Sequence, residues 1–82
     1  MDKNFKNNLN YIFDLFRKTT KVIKSCQDLE QLEGAYNYVE NLERYLNTFD
    51  RTPREQSFCK QQIVEFNRLL KIKRRLFHEH ID

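Results

Sequence analysis

Thr52-Pro53-Arg54-Glu55 opens the segment that decides the fold of this chain. A threonine hydroxyl can accept a hydrogen bond from an N–H of the first helical turn, which has no intrahelical acceptor. Proline at the next position lacks only a donor that would go unused there, and its fixed φ already suits a helix. Glutamate three residues after the threonine completes a capping box. Together these residues predict a helix start at 53. Downstream, Cys59, Ile63, Phe66, Leu70 and Phe77 fall on one line, and Phe58, Leu69, Ile72 and Leu76 form a second line beside it. Pro53 is the last Gly or Pro in the chain, so this helix is expected to run from about 53 to 78.

Working back from Thr52, a second apolar seam runs through Leu29, Leu32, Ala35 or Tyr36, Val39, Leu42, Leu46 and Phe49. Asp28 is a suitable N-cap for it and Gln31 the matching capping-box residue, with Ser25 offering an alternative start. This helix is expected over about 28–49, ending between Asn47 and Asp50. Gly34 lies within it and costs about 1 kcal/mol relative to alanine. It is either a tolerated surface glycine or a place where another backbone comes close. The first seam, Phe5, Leu9, Ile12, Phe16, Thr19, Ile23 and Cys26, predicts a helix over about 3–25. Tyr11, Leu15 and Val22 widen it on one side and Phe13 on the other, as a helix with two neighbours requires. Short connections imply antiparallel neighbours. The expected fold is therefore all-α, an antiparallel up-down-up three-helix bundle forming one domain over 1–82.

Composition agrees with this pattern. The 82 residues include one Gly and one Pro, are 33% charged and 39% hydrophobic, and contain seven Phe and four Tyr. Disordered chains are poor in such aromatics. The N-terminal Met1-Asp2-Lys3-Asn4-Phe5-Lys6 lacks an apolar h-region and no run approaches a membrane span, so the expected location is cytoplasmic. Cys26 and Cys59 are placed near opposite ends of the bundle, too far apart for a disulfide, and are expected as small core residues. Charge is segregated: residues 1–27 carry net +4, 28–50 net −5 and 51–82 net +4. An acidic middle helix between two basic ones suits packing within the chain.

The stretch Ile23-Lys24-Ser25-Cys26-Gln27-Asp28-Leu29-Glu30-Gln31-Leu32-Glu33-Gly34-Ala35-Tyr36-Asn37-Tyr38-Val39 resembles small orphan proteins of phages and mobile elements of Bacteroides-type bacteria. The resemblance covers the second helix and its approach. It implies a phage-type accessory protein of three helices with no assigned chemistry, resident in the bacterial host cytoplasm.

The residues that carry catalysis are not arranged for it. One glycine cannot build a phosphate-binding loop. His78 and His80 lie about 200° apart around a helix and do not face one metal. Cys59 and His78 are about 28 Å apart along a continuous helix, which rules out a thiol–imidazole dyad. Glu40 and Glu43 form a solvated stripe with Asn47. The expectation is a non-enzyme with no catalytic, cofactor or metal site and no small-molecule substrate.

Two surface features remain. Tyr38 and Tyr45, seven residues apart and off the main seam, together with Phe58, Leu69, Ile72 and Leu76, offer surplus apolar surface of the kind that anchors protein interfaces. Asn41 and Arg44 are placed as a polar rim to the tyrosines. The expected function is non-enzymatic binding to another protein, as a phage-type accessory factor or inhibitor of a host system, or assembly with further copies. The alternative is nucleic-acid binding through Lys60, Arg68, Lys71 and Arg75, which share about 80° of the third helix, with Arg74 at their edge.

Overall fold

A computed structural model of the chain describes residues 3–79. The order of elements is a single 3-10 turn at Lys6–Asn8, then α1 (Leu9–Ser25), α2 (Leu29–Leu46) and α3 (Pro53–Glu79). The fold is all-helical, with three helices and no strand among the described residues. No helix of the described residues is long and apolar enough to cross a membrane.

The start of α3 is built as its sequence predicts. The Glu55 N–H donates to Thr52 Oγ1 at 3.2 Å, and the Thr52 N–H donates to Glu55 Oε1 at 2.9 Å. At α2 the same device is offset by one residue. The Gln31 N–H donates to Asp28 Oδ1 at 2.7 Å, but the Gln31 side chain reaches back to the N–H of Gln27, at 2.8 Å, and not to that of Asp28.

All three helices contribute to one apolar cluster. Ile12, Phe16 and Ile23 come from α1, Leu32, Ala35, Val39, Leu42 and Leu46 from α2, and Cys59, Ile63, Phe66 and Leu70 from α3. Phe5, Cys26 and Phe49 close it from the flanking segments. Ala35 takes the buried place on α2 and Tyr36 is half-buried beside it. Thr19 is fully buried on the α1 seam, where its hydroxyl donates to the Leu15 carbonyl at 2.7 Å. That bond satisfies the group within its own helix, so burial carries no unmet polar cost. A fully buried Ile or Leu contributes about 1.5–3 kcal/mol.

Two boundaries differ from the sequence expectation. Helix α1 begins at Leu9 and not near residue 3, because the backbone before it is engaged elsewhere. The Asp50 N–H donates to the Lys3 carbonyl at 2.7 Å and the Phe5 N–H donates to the Asp50 carbonyl at 3.0 Å, making an isolated bridge between Asn4 and Asp50. This pairing holds Lys3–Phe5 across the α2–α3 connection and lets Phe5 enter the core. Helix α2 ends at Leu46 and not at 49. The Thr48 hydroxyl and N–H both take the Tyr45 carbonyl, at 2.7 and 3.0 Å, and the resulting turn delivers Phe49 to the core. Gly34 is exposed, and a Cβ built there would meet nothing within 4 Å. It is therefore a surface glycine, without another backbone of this chain close by.

The α1–α2 corner is held from α3. Lys73 follows Leu70 by three residues and precedes Phe77 by four, so a cation occupies a position in the apolar seam. Its Nζ donates to the carbonyls of Ile23, Lys24 and Cys26 at 3.0, 2.6 and 2.8 Å. The last carbonyls of a helix have no intrahelical donor and carry the negative end of its dipole, so an ammonium there is favoured twice. The Phe77 ring lies 5.9 Å from the same nitrogen and adds a cation–π attraction.

Candidate functional site

The Tyr11 ring on α1 reaches across to Tyr45 on α2, with ring centroids 6.3 Å apart in an edge-to-face arrangement. Tyr45 in turn meets the buried Phe49 edge-on at 5.2 Å. Because Tyr45 follows Tyr38 by seven residues, both project to the same side of α2. Leu15, one turn after Tyr11, does the same on α1. The result is an open groove of about 320 Å³ lined by Tyr11, Leu15, Tyr38, Asn41, Leu42 and Tyr45. Tyr11 is 52% exposed and Tyr45 37%, while Tyr38 is half-buried. Burial pushes the Tyr45 phenol above its ordinary range, and the Tyr11 phenol pushes in the same direction through charge repulsion and a hydrogen bond. The groove thus has an apolar floor and phenol groups at its edge. That arrangement suits a surface that is covered by another apolar body while its hydroxyls keep polar partners.

Asn41 lies in the groove as the spacing predicts, but Arg44 turns away and pairs with Glu40 at 3.2 Å. Tyr11 was not among the sequence candidates. Its signal was its place with Leu15 and Val22 on the widened flank of the α1 seam, which the sequence leaves equally suited to the core.

The other four apolar candidates lie apart from the tyrosines. Phe58 is half-buried between Phe13 and Phe16, at 6.1 and 6.0 Å, and Leu69 is half-buried against the core. Both belong to the packing of α3 on its neighbours. Ile72 and Leu76 are exposed, one turn apart near the end of α3, and none of the four lines the tyrosine groove.

Lys60, Arg68, Lys71, Arg74 and Arg75 are all exposed. Arg68 is engaged by Glu65, with Nε to Oε2 at 3.0 Å, and its hydrogen bonds hold the Glu65 carboxyl below the usual carboxylate range. Arg74 lines a separate cleft of about 410 Å³ between the start of α2 and the end of α3, with Glu30, Glu33, Tyr36 and His78. Of the stripe and its edge, Lys60, Lys71, Arg74 and Arg75 make no ion pair among the described residues. The cation that sequence reasoning overlooked is Lys73, and its signal was a lysine in the seam between Leu70 and Phe77.

Cys26 and Cys59 are both free and buried. Burial pushes the Cys59 thiol up, against an opposing pull from Arg51, so it is held as the protonated form and not as a nucleophilic thiolate. Helix α3 is continuous between Cys59 and His78, which keeps them about 28 Å apart. No group of three or more His, Cys, Asp or Glu among the described residues is placed to hold a metal ion. The His78–His80 pair extends beyond the described residues at His80. No protein-family model, curated protein or solved structure matches this chain.

Proposed function

We propose that this chain is a non-enzymatic helical protein that binds another protein, acting as a phage-type accessory factor or inhibitor of a host system. The observation that supports it is the Tyr11–Tyr38–Tyr45 groove. Tyrosine offers a large contact area at low conformational cost, and interfaces are enriched in it. An up-down-up arrangement places α1 and α2 as antiparallel walls of that groove. Two contacts support this order: Asp50 pairs with Lys3 and Phe5, joining the approach to α1 to the exit of α2, and Lys73 joins the end of α1 to the last turns of α3.

The test is affinity purification of the tagged chain from its native cells, with and without nuclease treatment, beside a Tyr11→Ala/Tyr38→Ala variant. This pair keeps the Tyr45–Phe49 contact and so spares the core. A stoichiometric protein retained after nuclease and lost with the variant is the expected result. A partner equally retained by the variant places the binding face elsewhere, and monodisperse chain with no partner rejects the reading. The second reading is nucleic-acid binding through the α3 stripe, favoured by the exposure of Lys60, Lys71 and Arg75. Under that reading, binding weakens steeply with salt and is lost on charge reversal of Lys60, Arg68, Lys71 and Arg75.

A further inference from the structure

The groove between α1 and α2 has the form and the charge to take one more helix. Its lining is Tyr11 and Leu15 on α1, and Tyr38, Asn41, Leu42 and Tyr45 on α2. Beyond it Lys18 and Val22 extend the Tyr11–Leu15 line along α1, and Tyr38, Asn41 and Tyr45 form the matching line on α2. Each advances by alternating steps of three and four, the spacing at which one helix meets another along its length. From Tyr11 to Val22 that line of α1 runs about 16 Å, or three helical turns. An extended peptide gains its affinity by pairing with a sheet edge, and the described residues contain no strand. A helix satisfies its own backbone and needs only an apolar seam in the groove. Charge narrows the choice further. The α1 rim carries Lys18 and Lys21, both exposed and neither in an ion pair among the described residues, whereas Arg17 beside them is paired with Asp14. On the α2 side, Asn41 and Asn37 bring no charge, and Arg44 is neutralised by Glu40.

We infer that the α1–α2 groove binds an amphipathic α-helix of a partner protein, its apolar seam on Tyr11, Leu15, Tyr38 and Tyr45 and its acidic flank toward Lys18 and Lys21. This rests on the groove being a protein-binding face and names the partner's chemistry. The bound helix completes a four-helix arrangement, and its carboxylates discriminate against partners with the opposite charge.

Four synthetic peptides of about 20 residues, long enough for an isolated helix to form, test this. Three share one leucine seam and carry Glu, Gln or Lys on the flanks, and the fourth is proline-rich, because aromatic grooves also take polyproline helices. Each is titrated into the isotope-labelled chain and followed by amide resonances and fluorescence anisotropy. The Glu peptide is expected to move the Tyr11, Leu15, Tyr38 and Tyr45 signals and to bind at least about tenfold more tightly than the Lys peptide. Lys18→Glu with Lys21→Glu, both at exposed sites, is expected to abolish or reverse that preference without changing the melting temperature. Equal binding of the Glu and Lys peptides, or preference for the proline-rich one, overturns the acidic helix and leaves the groove a protein-binding face. Groove signals that move only with the chain's own concentration also overturn it, in favour of a second copy. Groove signals that never move overturn it too, and together with a Tyr11→Ala/Tyr38→Ala variant that retains every partner they remove the protein-binding reading as well.

Discussion

The Lys73 ammonium donates to the carbonyl of Ile23 at 3.0 Å, across 50 residues of sequence. The same nitrogen serves Lys24 and Cys26, so one side chain of α3 closes the end of α1 and the corner that leads into α2. Lys73→Met keeps the aliphatic stem and removes all three bonds. Hydrogen bonds from charged groups are worth about 1.5–3 kcal/mol singly and are not additive at one nitrogen. A loss of about 2 kcal/mol in urea unfolding is expected, with faster amide exchange confined to the corner around residues 23–27. Unchanged stability would show that water replaces the ammonium without cost.

Thr52 and Glu55 cap each other at the start of α3. Thr52→Ala is expected to cost about 1 kcal/mol. Thr52→Ser, which keeps the acceptor oxygen, should recover most of it. Equal losses for the two variants in thermal melts would assign the effect to the methyl group and not to the cap.

Gly34 sits in the middle of α2 with open space where a Cβ would be. Gly34→Ala is expected to raise stability by about 0.5–1 kcal/mol, because alanine loses less backbone entropy on folding and meets no neighbour. A destabilised variant in chemical unfolding would mean that the helix is distorted at this point.

Burial raises the Cys59 thiol above its ordinary value of 9.0. In the folded chain it keeps its proton at a pH where the unfolded chain has lost it. The stabilising contribution is therefore complete below the unfolded value and is lost as pH rises from there through the higher folded value. Stability measured from pH 8 to 10 is expected to fall, and Cys59→Ala should flatten part of that slope while lowering stability throughout. Tyr45 is raised in the same sense, so some slope remains. A thiol reagent should label neither cysteine in the native chain at neutral pH and both in denaturant, since each is buried.

The helices and their caps could be read from the residues alone because the forces that make them act over three or four positions. The Thr52-Pro53-Arg54-Glu55 start, the Asp28 cap and the seams through Ile12, Leu32 and Leu70 are all of that kind. Three features depend on residues far apart in sequence. Lys3–Phe5 gives up helix to pair with Asp50, since those backbone groups find their partners beside the end of α2. Tyr11 becomes a wall of the groove only because Tyr45 stands opposite it. Lys73 looks like a solvated lysine until the end of α1 supplies the carbonyls it binds. Periodicity records which side of a helix is buried, but a groove or a cap between helices exists only once packing has brought their ends and flanks together.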